Sequence, residues 1–569
     1  MALSVMMNQP ALKLRNVTFR YDVDEAPVIV DVSLTVHPGE WIAITGHSGS
    51  GKSTIAQLLS GYLPRAGGGI RDGVLLVGGI DPAEAGIAEV VQRIGIVFQD
   101  PDAQLVQGRV EDEVAFGPEN LCFDVPAIEQ RVTDALAAVE LAERRSDSVH
   151  ALSGGQRQRT AIAAVLALAP PVLVFDEPVA SLDANSRRRF LALLRQLHGE
   201  GRTIVTVSGR LDELAQAAPR LIVMGGGKVM MDGPASELVS QERVRLAELG
   251  VLPAMNMNRA DLSAPFDLGE QPQVPAAPDL PSLSQTKLGM QPLSPTDPGM
   301  PSLAPPFVEM RSKGQTQQNG SQASGGATSP LNQAGASSQL GRWTHSPLLQ
   351  IQDLSFAYGK SGPAVLHDVN LTLGAGEWRL LCGDNGSGKT TLSRLLMGLL
   401  TPPCGTIWWQ GKDAAKLTLY DLAEDIGYVF QQPEHQFVAA TVMEELLYGP
   451  RFQMGLKAGQ ALPKEISERA EELLRSIGLA GRGQVSPYLL SGGEKRLLSA
   501  AAAMMLPRKL YILDEPTAGA DYGGIRALAA LCRRAVGEGA SVILITHEPE
   551  CFAGEQLSIW TMNRGRLQL

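Results

Sequence analysis

The stretch Gly46-His47-Ser48-Gly49-Ser50-Gly51-Lys52-Ser53 decides the fold of this chain. It follows an apolar run at residues 41–45 and precedes residues 55–59, which predict a helix. A strand, a glycine-rich loop and a helix in this order are the context in which the pattern indicates a phosphate-binding P-loop. Backbone N–H groups of such a loop close around phosphate oxygens at a helix N-terminus, where the helix dipole favours anions. Lys52 supplies a cation to the β- and γ-phosphates, and the Ser53 hydroxyl can bind Mg²⁺.

The same loop is repeated later in the chain as Gly383-Asp384-Asn385-Gly386-Ser387-Gly388-Lys389-Thr390. Its lead-in is repeated as well, since Ala375-Gly376-Glu377-Trp378 matches Pro38-Gly39-Glu40-Trp41. Further motifs follow both loops in the same order and at nearly constant spacing. The chain is therefore predicted to be a duplicated nucleotide-binding domain.

Composition and charge restrict the class of protein. The chain has 569 residues, and 44% of them are hydrophobic, which is enough for the cores of two α/β domains joined by a linker. A net charge of −11 argues against binding dominated by nucleic-acid phosphates. The five cysteines form no CxxC pair, so we expect free thiols and a reducing compartment. We find no secretory signal and no long apolar run, so any membrane-crossing part is expected in other chains.

Strands alternate with helices along both copies. In the first copy, Ile94-Gly95-Ile96-Val97-Phe98-Gln99 predicts a strand that ends in a glutamine, and a largely helical region follows. Residues 172–175 predict a buried strand that leads into Asp176-Glu177-Pro178, and residues 203–207 predict another. Such alternation indicates an α/β fold with a mainly parallel sheet and with ligands at the carboxyl ends of its strands.

The predicted organisation is two domains and a linker. Residues 12–250 form the first domain, residues 251–345 the linker and residues 348–569 the second domain. The linker holds 13 of the 37 prolines and is rich in Gln, Ser and Gly. This composition buries too little apolar surface to offset the entropy of ordering, so we predict a disordered linker. The end of the first copy, residues 230–252, is either a small helical appendage or the start of the linker.

The motif that discriminates among P-loop proteins is Leu152-Ser153-Gly154-Gly155-Gln156, which is copied as Leu490-Ser491-Gly492-Gly493-Glu494. Together with Asp-Glu-Pro behind an apolar strand, it resembles the ATP-binding cassette (ABC) ATPases over nearly all of both copies. The resemblance implies two P-loop NTPase domains, each with a mainly parallel sheet core and a helical subdomain. It also implies hydrolysis of ATP to ADP and phosphate, with ATP and Mg²⁺ as ligands.

The resemblance assigns roles to the matching positions. Two aspartates match an anion beside Mg²⁺, and the glutamate after each matches the residue that polarises the attacking water. Tyr21 and Tyr358 match an aromatic residue that stacks on adenine, with ordinary strand packing as the alternative. The catalytic set is Glu177, Glu515 and His547. The metal set is Ser53, Gln99, Asp176, Thr390, Gln431 and Asp514. The ATP-binding set is Tyr21, Gly46, His47, Ser48, Gly49, Ser50, Gly51, Lys52, Ser53, Thr54, Gln99, Ser153, Gly154, Gly155, Tyr358, Gly383, Asp384, Asn385, Gly386, Ser387, Gly388, Lys389, Thr390, Thr391, Gln431, Ser491, Gly492 and Gly493.

The resemblance places each ATP between the two copies, because the serine motif of one domain caps the γ-phosphate held by the other. Asp183 and Asp521 match an aspartate that crosses this interface. Site one combines Lys52, Gln99, Asp176 and Glu177 with Ser491. Site two combines Lys389, Gln431, Asp514 and Glu515 with Ser153.

The two sites are not expected to be equal. Thr546-His547 gives site two the histidine that holds the γ-phosphate in this family, whereas copy one reads Val207-Ser208-Gly209-Arg210. Gly209 stands where histidine is expected, unless the motifs are locally misaligned and Arg210 substitutes for it. Because Glu177 is retained, we expect slow hydrolysis at site one and most of the turnover at site two.

A narrower resemblance follows the two glutamines. Gln99-Asp100-Pro101-Asp102-Ala103-Gln104-Leu105 precedes Val110-Glu111-Asp112-Glu113-Val114-Ala115-Phe116-Gly117-Pro118. The second copy has Gln431-Gln432-Pro433-Glu434-His435-Gln436-Phe437 and then Glu444-Glu445-Leu446-Leu447-Tyr448-Gly449-Pro450. These segments resemble the energy-coupling-factor ATPases, in which they form a groove for helices of a transmembrane coupling protein. The alternative is that they only shape the helical subdomain.

This narrower resemblance implies the ATP-hydrolysing subunit of an importer for a vitamin, a vitamin precursor or a transition-metal ion, such as thiamine, hydroxymethylpyrimidine or cobalt. Its implied partners are an integral-membrane coupling (T-type) protein and a substrate-binding (S-type) membrane protein. Its implied location is peripheral, at the cytoplasmic face of the cell membrane.

A rival function is that of a soluble twin-cassette ATPase that acts on ribosomes. Such proteins have a helical, charged linker that faces RNA, whereas the linker here is proline-rich with balanced charge. We therefore expect no nucleic-acid partner. A DNA-repair ATPase would need zinc-type cysteine clusters, which the sequence lacks.

Overall fold

Each half of the chain is built on a six-stranded sheet. The computed structural model describes residues 9–23, 26–179, 182–253, 347–359, 362–457 and 460–568, and these residues of both halves belong to one compact unit. Apart from residues 251–253, the predicted linker lies outside the described residues.

The first half pairs a mainly parallel sheet with a helical region. Its strands are β1 (Leu12–Arg20), β2 (Ile29–Val36), β3 (Trp41–Thr45), β4 (Ile70–Val77), β5 (Ile94–Val97), β6 (Val172–Asp176), β7 (Thr203–Ser208), β8 (Arg220–Gly225) and β9 (Lys228–Pro234). Its helices are α1 (Lys52–Leu59), α2 (Ile87–Val91), α3 (Val110–Asn120), α4 (Val125–Ala138), α5 (Gly154–Ala167), α6 (Ala184–Gly199), α7 (Glu213–Ala217), α8 (Ala235–Gln241) and α9 (Arg243–Glu248). The sheet order is β5-β6-β7-β3-β8-β9, in which only the β8–β9 pair is antiparallel.

The second half repeats this plan. Its strands are β10 (Leu349–Ala357), β11 (Ala364–Leu373), β12 (Trp378–Cys382), β13 (Ile407–Trp409), β14 (Lys412–Asp413), β15 (Ile426–Val429), β16 (Leu510–Asp514), β17 (Ser541–Ile545), β18 (Ser558–Asn563) and β19 (Arg566–Gln568). Its helices are α10 (Lys389–Leu396), α11 (Leu419–Ala423), α12 (Val442–Gln453), α13 (Lys464–Ser476), α14 (Gly492–Ala503) and α15 (Tyr522–Gly537). The order β15-β16-β17-β12-β18-β19 matches that of the first sheet strand for strand.

The parallel strands are apolar because both faces of each sheet are covered. Ile42 and Ile44 on β3 pack with α1 and with a small antiparallel sheet, whereas Trp41 and Ala43 point to the opposite face and its helices. Alternation of side chains along a strand explains why neighbouring residues enter different cores. Full burial of a side chain such as Ile44, which is 0% exposed, contributes about 1.5–3 kcal/mol.

The small antiparallel sheets were not anticipated from the sequence. Their orders are β2-β1-β4 in the first half and β11-β10-β13-β14 in the second. The predicted buried strands at residues 172–175 and 203–207 are confirmed as β6 and β7, each one residue longer. Helix α1 begins at Lys52, three residues before the predicted start, because its first turn is part of the P-loop.

The helical subdomains consist of α3 to α5 and of α12 to α14, and in each the helices pack on one another. The two serine motifs start the last helix of each subdomain. Ser153 caps α5 and Ser491 caps α14, and each forms a capping box with the residue three positions later. These caps fix the N-termini of α5 and α14 and leave their first N–H groups free for an anion.

After β9 the first half continues with α8 and α9, so residues 230–252 are a strand end and a helical appendage. Val251 is fully buried, and its carbonyl oxygen accepts a hydrogen bond of 3.0 Å from Leu211 N.

No helix in the described ranges is both long and apolar enough to cross a membrane. All five cysteines are free, as their spacing predicted.

Candidate functional site

The two P-loops have the same backbone geometry. A Cβ at Gly46 would collide with the carbonyl oxygen of Met224, and one at Gly383 would collide with that of Met562. Both glycines have positive φ values, 156° and 145°. Only glycine fits this close approach, which explains the first glycine of each motif.

The P-loop side chains lie buried within their own loops. Lys52 Nζ donates to His47 O at 2.9 Å, and Lys389 Nζ donates to Gly383 O at 2.7 Å. Burial lowers the pKa of Lys52, although nearby carboxylates oppose the shift. The hydroxyl oxygens of Ser50 and Ser387 are buried without a hydrogen-bond partner among the described residues. These donors suit phosphate oxygens.

Buried carboxylates lie beside each loop at the ends of β6 and β16. Ser53 Oγ donates to Asp176 Oδ1 at 3.2 Å, and Thr390 bonds to Asp514 in the same way. Burial raises the pKa of both aspartates to about 6, and Asp514 Oδ1 is buried without a hydrogen-bond partner in the described part. A hydroxyl and a carboxylate oxygen are the hard ligands that Mg²⁺ prefers, so these residues fit a magnesium ion.

The glutamates after these aspartates have strained backbones. Glu177 and Glu515 have φ values of 48° and 51°, in the left-handed region that non-glycine residues seldom adopt. Each is held there by its N–H, which donates to Val207 O at 2.9 Å and to Ile545 O at 3.0 Å, respectively. Burial, followed by the charge of Asp176, raises the pKa of Glu177 to about 7.

The histidine is present in the second half alone. His547 Nδ1 lies 2.8 Å from Glu515 Oε2, and its Nε2 is buried without a partner among the described residues. In the sheets, Val207 pairs with Asp176 as Ile545 pairs with Asp514. Two residues further along, Gly209 therefore corresponds to His547, and the misalignment alternative is excluded.

Arg210 does not replace the missing histidine. A Cβ on Gly209 would lie 3.7 Å from Glu177 Oε1, so the position next to the glutamate is the one without a side chain. The Arg210 guanidinium instead donates from Nη2 to Glu548 Oε2 in the second half at 2.5 Å. Arg187 Nη1 lies 3.3 Å from the other carboxylate oxygen of Glu548.

Site one is closed by the second half. Ser48 N donates to Asp521 Oδ2 at 2.6 Å, and a Cβ on Gly493 would lie 3.3 Å from Ser48 Oγ. A Cβ on Gly492 would lie 2.8 Å from Gln99 Nε2, which donates to Glu177 Oε2 at 2.7 Å. The structure thus brings Gly492 and Gly493, the glycines after Ser491, to Gln99 and Ser48 of the first half.

Site two is assembled less tightly. Asn385 N donates to Asp183 Oδ2 at 3.2 Å, which mirrors the Ser48 contact. However, a Cβ on Gly154 would have no atom of the described residues within 4 Å, and the Gln431 side chain is exposed. The structure therefore brings the aspartate, but not Gln431, to the second site.

Both predicted adenine-stacking tyrosines lie beside the P-loop helices. Tyr21 is 43% exposed and Tyr358 is 48% exposed, which is more than ordinary strand packing leaves open. Their hydroxyls lie 3.1 Å from Thr54 Oγ1 and Thr391 Oγ1, respectively. Each ring therefore lies half-exposed at the edge of its site, in an edge-to-face contact with Phe19 or Phe356, respectively.

The ion pairs that join the two halves, in which Arg210 and Arg187 contact Glu548, were not predicted from the sequence. Arg210 and Glu548 hold equivalent positions in the two halves, directly after Gly209 and His547. Their opposite charges at matched positions were the signal that could have revealed the pairing.

Several known proteins are similar to this chain. The family described as ABC transporter matches residues 29–180 and 366–518. A relative from Methanosarcina mazei, provisionally named an ABC transporter ATP-binding protein, is 32% identical over 99% of this chain and 90% of its own length. A relative from Bacillus subtilis, provisionally named the HMP/thiamine import ATP-binding protein YkoD, is 32% identical over 95% of this chain and 87% of its own length. The solved structure of cbiO1 from Clostridium perfringens, part of the ABC transporter complex cbiONQ, is 32% identical over 42% of this chain and 96% of its own, with a TM-score of 0.38.

Proposed function

Because the chain belongs to the ABC transporter family and carries two ATP-hydrolysing domains of that family, we propose that it is the energy-coupling subunit of an importer of the energy-coupling-factor type. It would act at the cytoplasmic face of the membrane, bound to a T-type coupling protein and an S-type substrate-binding protein. The alternative of a ribosome-associated ATPase is not favoured, since the relatives carry transporter names.

The observation that carries the proposal is the duplicated segment after each glutamine. In the first half, the buried Glu113 carboxylate accepts hydrogen bonds from Val106 N and Gln107 N at 2.8 and 2.6 Å. In the second half, Glu445 accepts from Val438 N and Ala439 N, both at 2.9 Å. Each glutamate lies in the first turn of a helix and ties the preceding loop to it.

This tie leaves apolar side chains facing solvent at matched positions. Val106 is 65% exposed and Val438 is 61% exposed. Phe116 on α3 and Tyr448 on α12, at matched positions in the second turn of each helix, are also exposed. Exposed apolar side chains on a fixed loop and helix suit a groove that receives a partner helix, which supports the coupling role.

The transported substrate is proposed from the resemblance to the energy-coupling-factor ATPases and from the name of one relative. The relative YkoD carries a name for import of thiamine or its pyrimidine precursor (HMP). We therefore favour a vitamin or vitamin precursor as cargo, with a transition-metal ion such as cobalt as the other class.

The chemistry is proposed to occur at two composite sites. The P-loop N–H groups with Lys52 or Lys389 bind the phosphates, and Tyr21 or Tyr358 stacks on adenine. Glu177 or Glu515 orients the attacking water and accepts its proton, a role for which a buried carboxylate beside the phosphates is suited. In Glu177 burial also raises the pKa, to about 7. Ser53, Gln99 and Asp176 would hold Mg²⁺ in site one, and Thr390 and Asp514 would hold it in site two, with the exposed Gln431 joining them only if its side chain turns inward. The ion would offset the charge of the phosphate oxygens.

The two sites are proposed to turn over unequally. At site two the imidazole of His547 holds Glu515 and directs its free Nε2 toward the γ-phosphate. At site one Gly209 supplies no side chain. We therefore assign most turnover to site two, and ATP-driven closure at both sites moves the segments after the glutamines.

Two experiments test these proposals. The chain should co-purify with membrane proteins from detergent extracts, and Val106→Asp with Val438→Asp should abolish this while the ATPase activity of the isolated chain persists. Retained co-purification, or its absence in the wild type, would contradict the coupling role. Separately, Glu515→Gln should remove more ATPase activity than Glu177→Gln, and equal losses would refute the asymmetry.

A further inference from the structure

One arginine of the second half lies at site one without an assigned role. Arg496 is on α14, and its Nη1 donates a long hydrogen bond of 3.4 Å to Gly492 O. Its Nε is buried without a hydrogen-bond partner in the described ranges. The first half has Gln158 at this position, and its side-chain amide donates to the carbonyl oxygen of Pro178. The cation is therefore peculiar to the second half.

Arg496 meets the catalytic residues of site one around Gly519. A Cβ on Gly519 would lie 2.5 Å from Glu177 Oε2, 2.9 Å from Gln99 Nε2 and 3.6 Å from Arg496 Nη1. Three side chains from the two halves thus surround one glycine. Gly519 has a φ of +67°, and its lack of a side chain lets the Glu177 carboxylate, the Gln99 amide and the Arg496 guanidinium approach the same backbone position.

We propose that Arg496 is a positioning residue of site one, which acts from the opposite half in place of the histidine that Gly209 does not provide. This inference rests on the role proposed above for Glu177. In site two, His547 holds the glutamate from within the same half. In site one, the Gln99 amide donates to Oε2 of Glu177, and Arg496 of the second half supplies the positive charge.

The electrostatics agree with this arrangement. The buried guanidinium of Arg496 is attracted by the carboxylates of Glu177, Glu434 and Glu515, and the attraction to Glu177 is the largest of the three. Arginine stays protonated at any physiological pH, so it supplies this charge constantly whenever the halves are closed. Because the guanidinium belongs to the second half, the active arrangement of Glu177 depends on closure.

The test isolates site one by silencing site two. In a Glu515→Gln background, Arg496→Gln should lower kcat at least about tenfold, while KM for ATP changes less than about twofold, because the arginine orients Glu177 rather than binding ATP. Arg496→Lys should recover part of the loss. In a Glu177→Gln background, where site two alone turns over, Arg496→Gln should change kcat by no more than about twofold, because Glu515 attracts Arg496 less than Glu177 does.

Controls separate this role from a structural one. Lys495→Gln removes a cation one residue away, which pairs with Glu434 at 3.0 Å, and should leave kcat unchanged in both backgrounds. Equal losses from Arg496→Gln in both backgrounds, or no loss in the Glu515→Gln background, would overturn the proposal. Activity that survives in the Glu177→Gln/Glu515→Gln double variant would instead refute the assignment of the glutamates.

Discussion

Glu548→Gln should weaken the closure of the two halves more than any other single change at their seam. Glu548 is 6% exposed, and its carboxylate lies between Arg210 and Arg187 of the first half. Burial alone would raise the pKa of Glu548, but the charge and hydrogen bond of Arg210 lower it below its ordinary value. Glutamine keeps the shape and removes the charge, so two guanidiniums are left facing a neutral amide.

The magnitude follows from the burial of this cluster. Removal of one partner from a buried ion pair costs about 3–5 kcal/mol. Both arginine side chains keep 14% exposure, so we expect the lower end, about 3 kcal/mol. Because the contact joins the halves, the cost falls on the closed state and corresponds to roughly 150-fold weaker closure.

The structure also predicts which of two single variants weakens closure more. Arg210→Met leaves Glu548 paired with Arg187 at 3.3 Å, so its effect should be smaller than that of Glu548→Gln. The double variant Arg210→Met/Glu548→Gln should lose less than the sum of the two single changes, because both changes break the same Arg210–Glu548 pair, which can be lost only once.

The assay is a double-mutant cycle on the ATP dependence of ATPase activity, in which the half-maximal ATP concentration reports closure. Asp368→Asn is a matched control, since it breaks an ion pair with Arg566 that is 64% exposed and lies within one half. It should shift the half-maximal concentration by less than about threefold. An unchanged ATP dependence in Glu548→Gln, or strict additivity in the cycle, would refute the reasoning.

Three further predictions concern other parts of the molecule. Gly519→Ala should lower ATPase activity at site one, because a Cβ would lie 2.5 Å from Glu177 Oε2. The activity is measured in a variant whose second site is silenced, and unchanged activity there would show that the close contact between Gly519 and Glu177 is unimportant. Glu113→Ala should reduce co-purification with membrane partners while ATPase activity of the isolated chain is kept, because the loop at Val106 loses its tie; loss of both activities would point to general unfolding. Phe175→Ala should destabilise the first half by about 3–5 kcal/mol, seen as a lower unfolding temperature of that half, since the ring is 1% exposed; an unchanged thermal profile would contradict this.

The sequence was sufficient for the fold because its motifs are local. The P-loop at Gly46 and the apolar run before Asp176 each carry their own strand or helix signal within a few residues, and the structure confirms the two α/β domains built on them. The small antiparallel sheets escaped prediction because their strands, such as β1 and β4, pair over long sequence separations with no repeated motif.

The candidate sites were predictable as lists of residues but not as geometry. The combination of the first phosphate-binding loop with the serine motif at Ser491 followed from the family resemblance, and the structure places Gly493 of that motif close to Ser48. The exposure of Gln431 did not follow, because its sequence context matches that of Gln99. The role of Arg210 was open between a substitute for histidine and none, and only the contact with Glu548 decides it.

The positions of Arg210 and Glu548 have a consequence for assembly. They occupy the same place in the two halves and meet near the pseudo-symmetry axis, so two first halves from separate molecules would set arginine against arginine, and two second halves would set glutamate against glutamate. Association of two identical halves is therefore electrostatically unfavourable, whereas association of a first half with a second half is favourable. If the polypeptide were cut between its halves, we expect the two fragments to associate as heterodimers. The covalent linker would then not be the cause of this pairing preference.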